Sequence, residues 1–160
     1  MIQLSDWLQH NSLIIALNSS AWTAAPLEVL HYFSMFILVG SIAVVDLRVL
    51  GLAGRGQSVT SLAERLFPWM WLGLALNFLT GFLMFGVNAT AYVTDPIFHA
   101  KMTVTLAAMV FGLIVQWNVP RWDKTVHIPL LAKVVAVVSL LLWVGAILAG
   151  VEVPALSGIG

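Results

Sequence analysis

The chain contains no cysteine, which excludes disulfide frameworks, thiolate metal centres, iron–sulfur clusters and cysteine nucleophiles. Charge is nearly as scarce. Asp, Glu, Lys and Arg make up 9% of the 160 residues, against about a quarter in an ordinary soluble domain. So few solvated side chains cannot cover a chain that is 61% hydrophobic with a mean hydropathy of +0.99, and the composition predicts one membrane-embedded domain over residues 1–160. Seven cations balance seven anions, so no basic surface can be assembled and nucleic acid is excluded as a partner. Also missing are a Gly-rich phosphate loop, Gly-x-Ser-x-Gly, His-Glu-x-x-His and closely paired carboxylates within one apolar stretch, the signatures of several hydrolase and nucleotide chemistries. The first basic residue is Arg48, so the N-terminus does not read as a signal peptide.

What is present is length and apolarity. Hydrocarbon about 30 Å thick needs roughly 20 helical residues, and four stretches qualify: 26–50, 62–86, 96–119 and 128–151. Pro26 with Glu28, and Asp95 followed by Pro96, carry helix-entry chemistry. Gly51, Gly54 and Gly56, the polar run 87–94, and the segment from Pro120 to Lys124 separate the spans. The expected fold is all-α, an integral membrane antiparallel four-helix bundle. Ahead of it, residues 3–18 alternate Trp7, Leu8, Leu13, Ile14 and Leu17 with Asp6, Gln9, His10 and Asn18, the pattern of a short interfacial amphipathic helix.

Six of the seven cations, Arg48, Arg55, Arg65, Arg121, Lys124 and Lys133, fall in or beside the loops joining spans one to two and three to four; Lys101 stands alone at the other side. The asymmetry predicts those loops inside and both termini outside, on the periplasmic side of a bacterial inner membrane. Asp6, Glu28, Asp95 and Glu152 then lie outside, and Trp69, Trp71, Trp117 and Trp122 mark the inner boundary. Trp143 lies about 12 Å within span four and is expected to pack in the interior. Asp46, Arg48, Glu64, Arg65, Asp123 and Lys133 read as boundary ion pairs and topology anchors.

Helix contacts in a bilayer are marked by small and hydrogen-bonding residues. In span two Gly73, Asn77 and Gly81 repeat every four residues beside Thr80, and in span four Gly145, Ala146, Ala149 and Gly150 do the same. In span one His31 aligns with Ser34, Met35, Leu38 and Ile42, against an outer face of Phe33, Phe36, Ile37, Val44 and Leu47. In span three His99 and Lys101 are about 200° apart on the wheel. Lys101 shares its face with Thr105, Ala108, Gly112 and Gln116, and His99 shares its own with Leu106, Val110, Leu113 and Trp117. The interior face is therefore assigned to Lys101. His31 and Lys101 each begin five residues into their spans, roughly 7 to 8 Å deep, and are level.

The runs Leu30-His31, Val39-Gly40, Asp46-Leu-Arg-Val-Leu-Gly51, Leu66-Phe-Pro-Trp69, Phe98-His-Ala-Lys101-Met102 and Ser139-Leu-Leu-Leu-Trp143-Val-Gly145 resemble an uncharacterised bacterial four-helix membrane-protein family of about this length, over nearly the whole chain. More distantly, His31, Gly40, Arg48 and the His99-Ala-Lys101 triplet resemble the four-helix haem-binding protoporphyrinogen oxidases, and the build resembles copper-resistance membrane proteins. Where a histidine often closes span three in such proteins, this chain has Gln116. The resemblance implies b-type haem held by His31, with Lys101 or His99 as a second axial group, Met35 and Trp143 among the walls, and redox exchange with a quinone. Two alternatives stand beside it. Met35 after His31 and Met102 after His99 suit Cu(I), and small-residue spans with little mass outside them suit an accessory subunit of a larger membrane complex without a cofactor.

Overall fold

A computed structural model describes residues 2–54, 56–125 and 127–157, with side chains from Ser5 to Gly150. Arg55 and the side chain of Glu152, which entered the charge pattern above, lie outside the described residues. Those residues are helical, without a strand: α1 (Ile2–Gln9), α2 (Ser12–Asn18), α3 (Ala21–Val49), α4 (Val59–Phe85), a 3-10 turn (Gly86–Asn88), α5 (Ala89–Thr94), α6 (Pro96–Trp122) and α7 (Leu130–Ser157). Four helical stretches are long and apolar enough to cross a membrane: Ala21–Val49, Val59–Thr94, Pro96–Trp122 and Leu130–Gly150.

Helix boundaries follow local chemistry; α4 starts at Val59, α6 runs through Pro120 to Trp122 and α7 covers Leu130–Ser157, each a few residues off the expected bounds, and three segments differ more. The N-terminal segment is two helices, because Asn11 leaves helical geometry and its side chain caps the Leu13 N–H at 3.0 Å. Helix α3 begins at Ala21, where Ser20 caps Trp22, and carries Pro26 inside it. The run 87–94 is a 3-10 turn and a short helix instead of a loop. Elsewhere the signals hold. Asp95 accepts from Ile97 and Phe98 with Pro96 following. At the other end of α3, Gly51 adopts φ +76° while its N–H reaches Arg48 and that of Leu52 reaches Leu47, the glycine-dependent pairing that closes orphan carbonyls.

Helix α3 lies along α4 and α6 along α7, and contacts of α3 with α7 and α4 with α6 close the set. Helices α3 and α4 come close at Gly73, where an added Cβ would stand 2.7 Å from the backbone nitrogen of Leu38. The shared core is confined to the half nearer the α3–α4 and α6–α7 loops, here the loop end. It contains Leu38, Ile42 and Val45 of α3, Phe67 and Met70 of α4, Ala108 and Val115 of α6, and Ala136 and Trp143 of α7. Phe33, Phe36, Phe78, Leu106, Val110, Leu131 and Leu141 face outward. Toward the opposite, terminal end, Ser34 and Thr80 are the side chains of α3, α4 and α6 that are buried beyond that core, among the described residues. There Leu8, Ile14 and Ala89 form a separate cluster with Leu83 and Phe85. It seats α1 and α2 on the α4–α5 junction, with Gln9 donating to the Val87 carbonyl at 3.1 Å.

Candidate functional site

Three helical repeats converge on His31. Helix α3 carries Ser34 one turn along, and α4 brings Asn77, Thr80 and Gly81 to the same level. The Thr80 hydroxyl donates to the Leu76 carbonyl at 2.7 Å, and a hydroxyl has one proton to give. Thr80 Oγ1 lies 2.9 Å from His31 Nδ1 and accepts from it in the tautomer that carries the proton on Nδ1 and the lone pair on Nε2; the Asn77 amide nitrogen, 3.4 Å from the same Nδ1, is a donor that favours the opposite tautomer. The Asn77 amide donates to the His31 carbonyl at 3.0 Å and to Ser34 Oγ at 3.3 Å, while Ser34 donates to the same carbonyl at 2.7 Å. The ring rests against the bare backbone of Gly81, where an added Cβ would stand 3.0 Å from Cε1. Among the described residues Nε2 has no hydrogen-bond partner. The Nδ1–H tautomer, with a free lone pair on Nε2, is a form in which histidine binds a metal.

Lys101 occupies the interior side of α6, as its face predicts. Its stem runs past α7, 3.9 Å from where a Cβ on Gly150 would lie, and the backbone carbonyl of Lys101 accepts from Thr105 at 2.9 Å. The ammonium has no ion-pair partner among the described residues, and it acts electrostatically on the His31 ring, as Glu28 does. His99 lies elsewhere. It is exposed, and its Nε2 bonds the Val93 carbonyl at 2.9 Å, tying down the α5–α6 turn.

Met35 is half-buried on α3 one turn beyond His31, and Met102 is exposed. Trp143 is buried, but against Gly112 and Ile42 in the loop-end half. It lines a small apolar cavity of about 30 Å³ with Leu38, Met70 and Leu74, room for one water. No cluster of three or more His, Asp or Glu side chains forms among the described residues.

Residues 13–154 match the profile of DUF6644, a family of unknown function. The chain belongs to that family. No curated protein and no solved structure matches it, so its site is read from its own residues.

The charged residues near the loop end do not form the expected ion pairs. Among the described residues the one ion pair is His10 with Asp6, at 3.6 Å. Arg48 turns to the loop and donates from Nε to the Gln57 carbonyl at 2.8 Å; Glu64, Arg65 and Lys133 are exposed. Asp123 accepts from the backbone N–H groups of Val59 and Thr60 at 3.0 and 3.2 Å, capping α4 from the end of α6. Asp46 is fully buried, and among the described residues neither carboxyl oxygen has a partner in good hydrogen-bond geometry, although Ser139 lies beside it. Sequence reasoning gave Asp123 and Asp46 the wrong company because both environments are built by a helix distant in sequence.

Proposed function

We propose that this chain is a small integral membrane protein that binds b-type haem through His31 and serves as a redox or haem-linked subunit. In this proposal the four long helices form an antiparallel bundle in a bacterial inner membrane, with both termini on the periplasmic side. The observation that carries it is the Thr80–His31 hydrogen bond. In the tautomer with the proton on Nδ1 it orients the ring and leaves Nε2 as a lone-pair donor, the arrangement expected of an axial imidazole.

Two further observations support the fit. The packed core stops short of His31, so the terminal end is where a flat apolar ligand would meet the least side-chain mass; the 30 Å³ cavity of the loop-end half excludes a porphyrin there. Lys101 supplies a cation at the same end, suited to a propionate or, if deprotonated, to a second axial position. When bound, haem would supply one-electron chemistry, with quinone as the natural exchange partner. The protein's own contribution is to orient His31 through Thr80, Asn77 and Gly81 and to hold a positive charge nearby.

Purified protein from haem-supplied cells should show a Soret band that is lost in His31→Ala and kept in His99→Ala. Wild-type protein that folds but takes up no haem on reconstitution refutes the proposal. Stoichiometric Cu(I) binding dependent on Met35 would replace haem with copper, and copurification with a larger complex without any cofactor would replace it with an accessory role.

A further inference from the structure

A second polar site lies in the loop-end half, away from His31. The buried polar side-chain atoms without a partner, among the described residues, are Asp46 Oδ1 and Oδ2, Gln116 Oε1, Ser139 Oγ and Trp143 Nε1. Three helices contribute them, and they fall in two adjacent levels. Ile42 of α3 packs against Gly112 of α6, its Cδ1 2.6 Å from where a Cβ would lie, and Trp143 Nε1 is 3.9 Å from the same point. Helices α3 and α6 run the same way, so Asp46 and Gln116, each four residues further on, share the next level about 6 Å toward the loop end. Helix α7 runs oppositely, and Ser139, four residues before Trp143, arrives at that level too. Ser139 lies close enough to Asp46 for the two side chains to interact, although the pair falls outside good hydrogen-bond geometry.

Unpaired buried polar atoms are costly, and more so in an apolar set of helices, where water is not at hand. Native structures rarely leave them so, and a group of them in two adjacent levels points to a missing partner. The charge balance states which kind. Among the described residues no charged side chain acts on Asp46: from α3 Arg48 bonds the loop, from α4 Glu64 and Arg65 are exposed, from α6 Asp123 caps α4, and from α7 Lys133 is exposed. One carboxylate thus stands alone among neutral oxygen donors. A proton on one Asp46 oxygen, donated to Gln116 or Ser139, would settle two oxygens of the four. A small alkali cation would use all four and neutralise the single charge, and hard oxygen donors suit such an ion.

We propose that Asp46, Gln116 and Ser139 form an intramembrane binding site for a monovalent alkali cation of sodium size, with Trp143 Nε1 donating to the carboxylate or to a water on the ion. The site is independent of haem and of His31.

The test is thermal unfolding of the purified full chain in detergent, with NaCl exchanged against choline chloride at constant ionic strength, together with equilibrium dialysis against radiolabelled sodium. Wild-type protein should retain sodium and unfold at a midpoint that rises with sodium concentration, because a ligand that binds only the folded state stabilises it. Asp46→Asn should abolish both effects. Gln116→Leu and Ser139→Ala should each weaken sodium binding about tenfold, the scale of losing one hydrogen bond or contact to a charged group. They keep the test decisive if Asp46→Asn does not fold. A midpoint that follows pH but not sodium would overturn the proposal in favour of a proton alone. Sodium binding unchanged in Gln116→Leu and Ser139→Ala, or absent from wild type, would overturn it outright.

Discussion

Gly73→Ala is the substitution that most directly interrogates how α3 and α4 hold His31. The added methyl would stand 2.7 Å from the Leu38 nitrogen, 2.9 Å from the Ser34 carbonyl oxygen and 3.1 Å from the Leu38 Cα. All three are backbone atoms and cannot rotate aside. Ordinary contact begins at 3.4 Å, so the helices must part by about 0.7 Å or the methyl must be overpacked, at a cost of about 1–3 kcal/mol. Parting would stretch the 3.0 Å bond from Asn77 to the His31 carbonyl beyond hydrogen-bonding range, a further loss of about 1 kcal/mol. Replacing glycine in a helix returns about 1 kcal/mol, which leaves a net destabilisation of about 1–3 kcal/mol. Gly40→Ala is the matched control, since an added Cβ there meets nothing within 4 Å and only the helix-propensity gain remains. Unfolding in mixed micelles with increasing sodium dodecyl sulfate, followed by far-ultraviolet circular dichroism, compares the two. Equal midpoints for Gly73→Ala and Gly40→Ala would refute the close-approach argument.

Three other outcomes follow from the geometry. Asp123→Ala should cost about 1–2 kcal/mol by uncapping α4, seen in the same unfolding assay. Burial pushes the Asp123 carboxyl up, but the Thr60 and Val59 N–H groups outweigh it and hold the pKa below the ordinary 3.8. Its stabilisation is therefore complete above pH 3.8 and disappears as pH falls through the lower folded value; Asp123→Ala should lose that acid-side decline. Thr80→Val removes the acceptor for His31 Nδ1 and should lower stability by about 1 kcal/mol and shift the visible spectrum of haem-loaded protein, with Thr80→Ser restoring both. His99→Ala should change stability by no more than about 0.5 kcal/mol, because its ring and its bond to Val93 are exposed.

Local pattern was readable wherever one helix decides the outcome alone. The 3.6-residue period of α6 assigned Lys101, Ala108 and Gly112 to the interior and Leu106, Val110 and Trp117 to the exterior, as observed. The four-residue repeat of Gly73, Asn77 and Gly81 located the surface that meets α3, and Asp95-Pro96 fixed a helix start. What escaped was set by contacts between distant segments. Asp123 looks like any boundary acid until α4 brings Val59 and Thr60 to it. Asp46 reads as half of an ion pair with a neighbour such as Arg48, but three residues at the end of a helix turn one side chain inward and leave the other free for the Gln57 carbonyl. The break at Asn11 hides in a segment whose apolar residues fit one helix as well as two.

The uneven core also sets how these helices can move. Their contacts are dense from Leu38 toward the loop end and sparse beyond it, so α3 resembles a rod clamped at one end. From Leu38 to Ala21 the free length is about 25 Å; a tilt of about 5° carries its tip about 2 Å without disturbing the clamp. The terminal end can thus widen or narrow by small rotations that leave the loop-end packing in register. His31 lies about 10 Å from Leu38 along this lever, where the same tilt amounts to about 1 Å, so its bonds to Thr80 and Asn77 hold that level of α3 against the swing of residues nearer the tip.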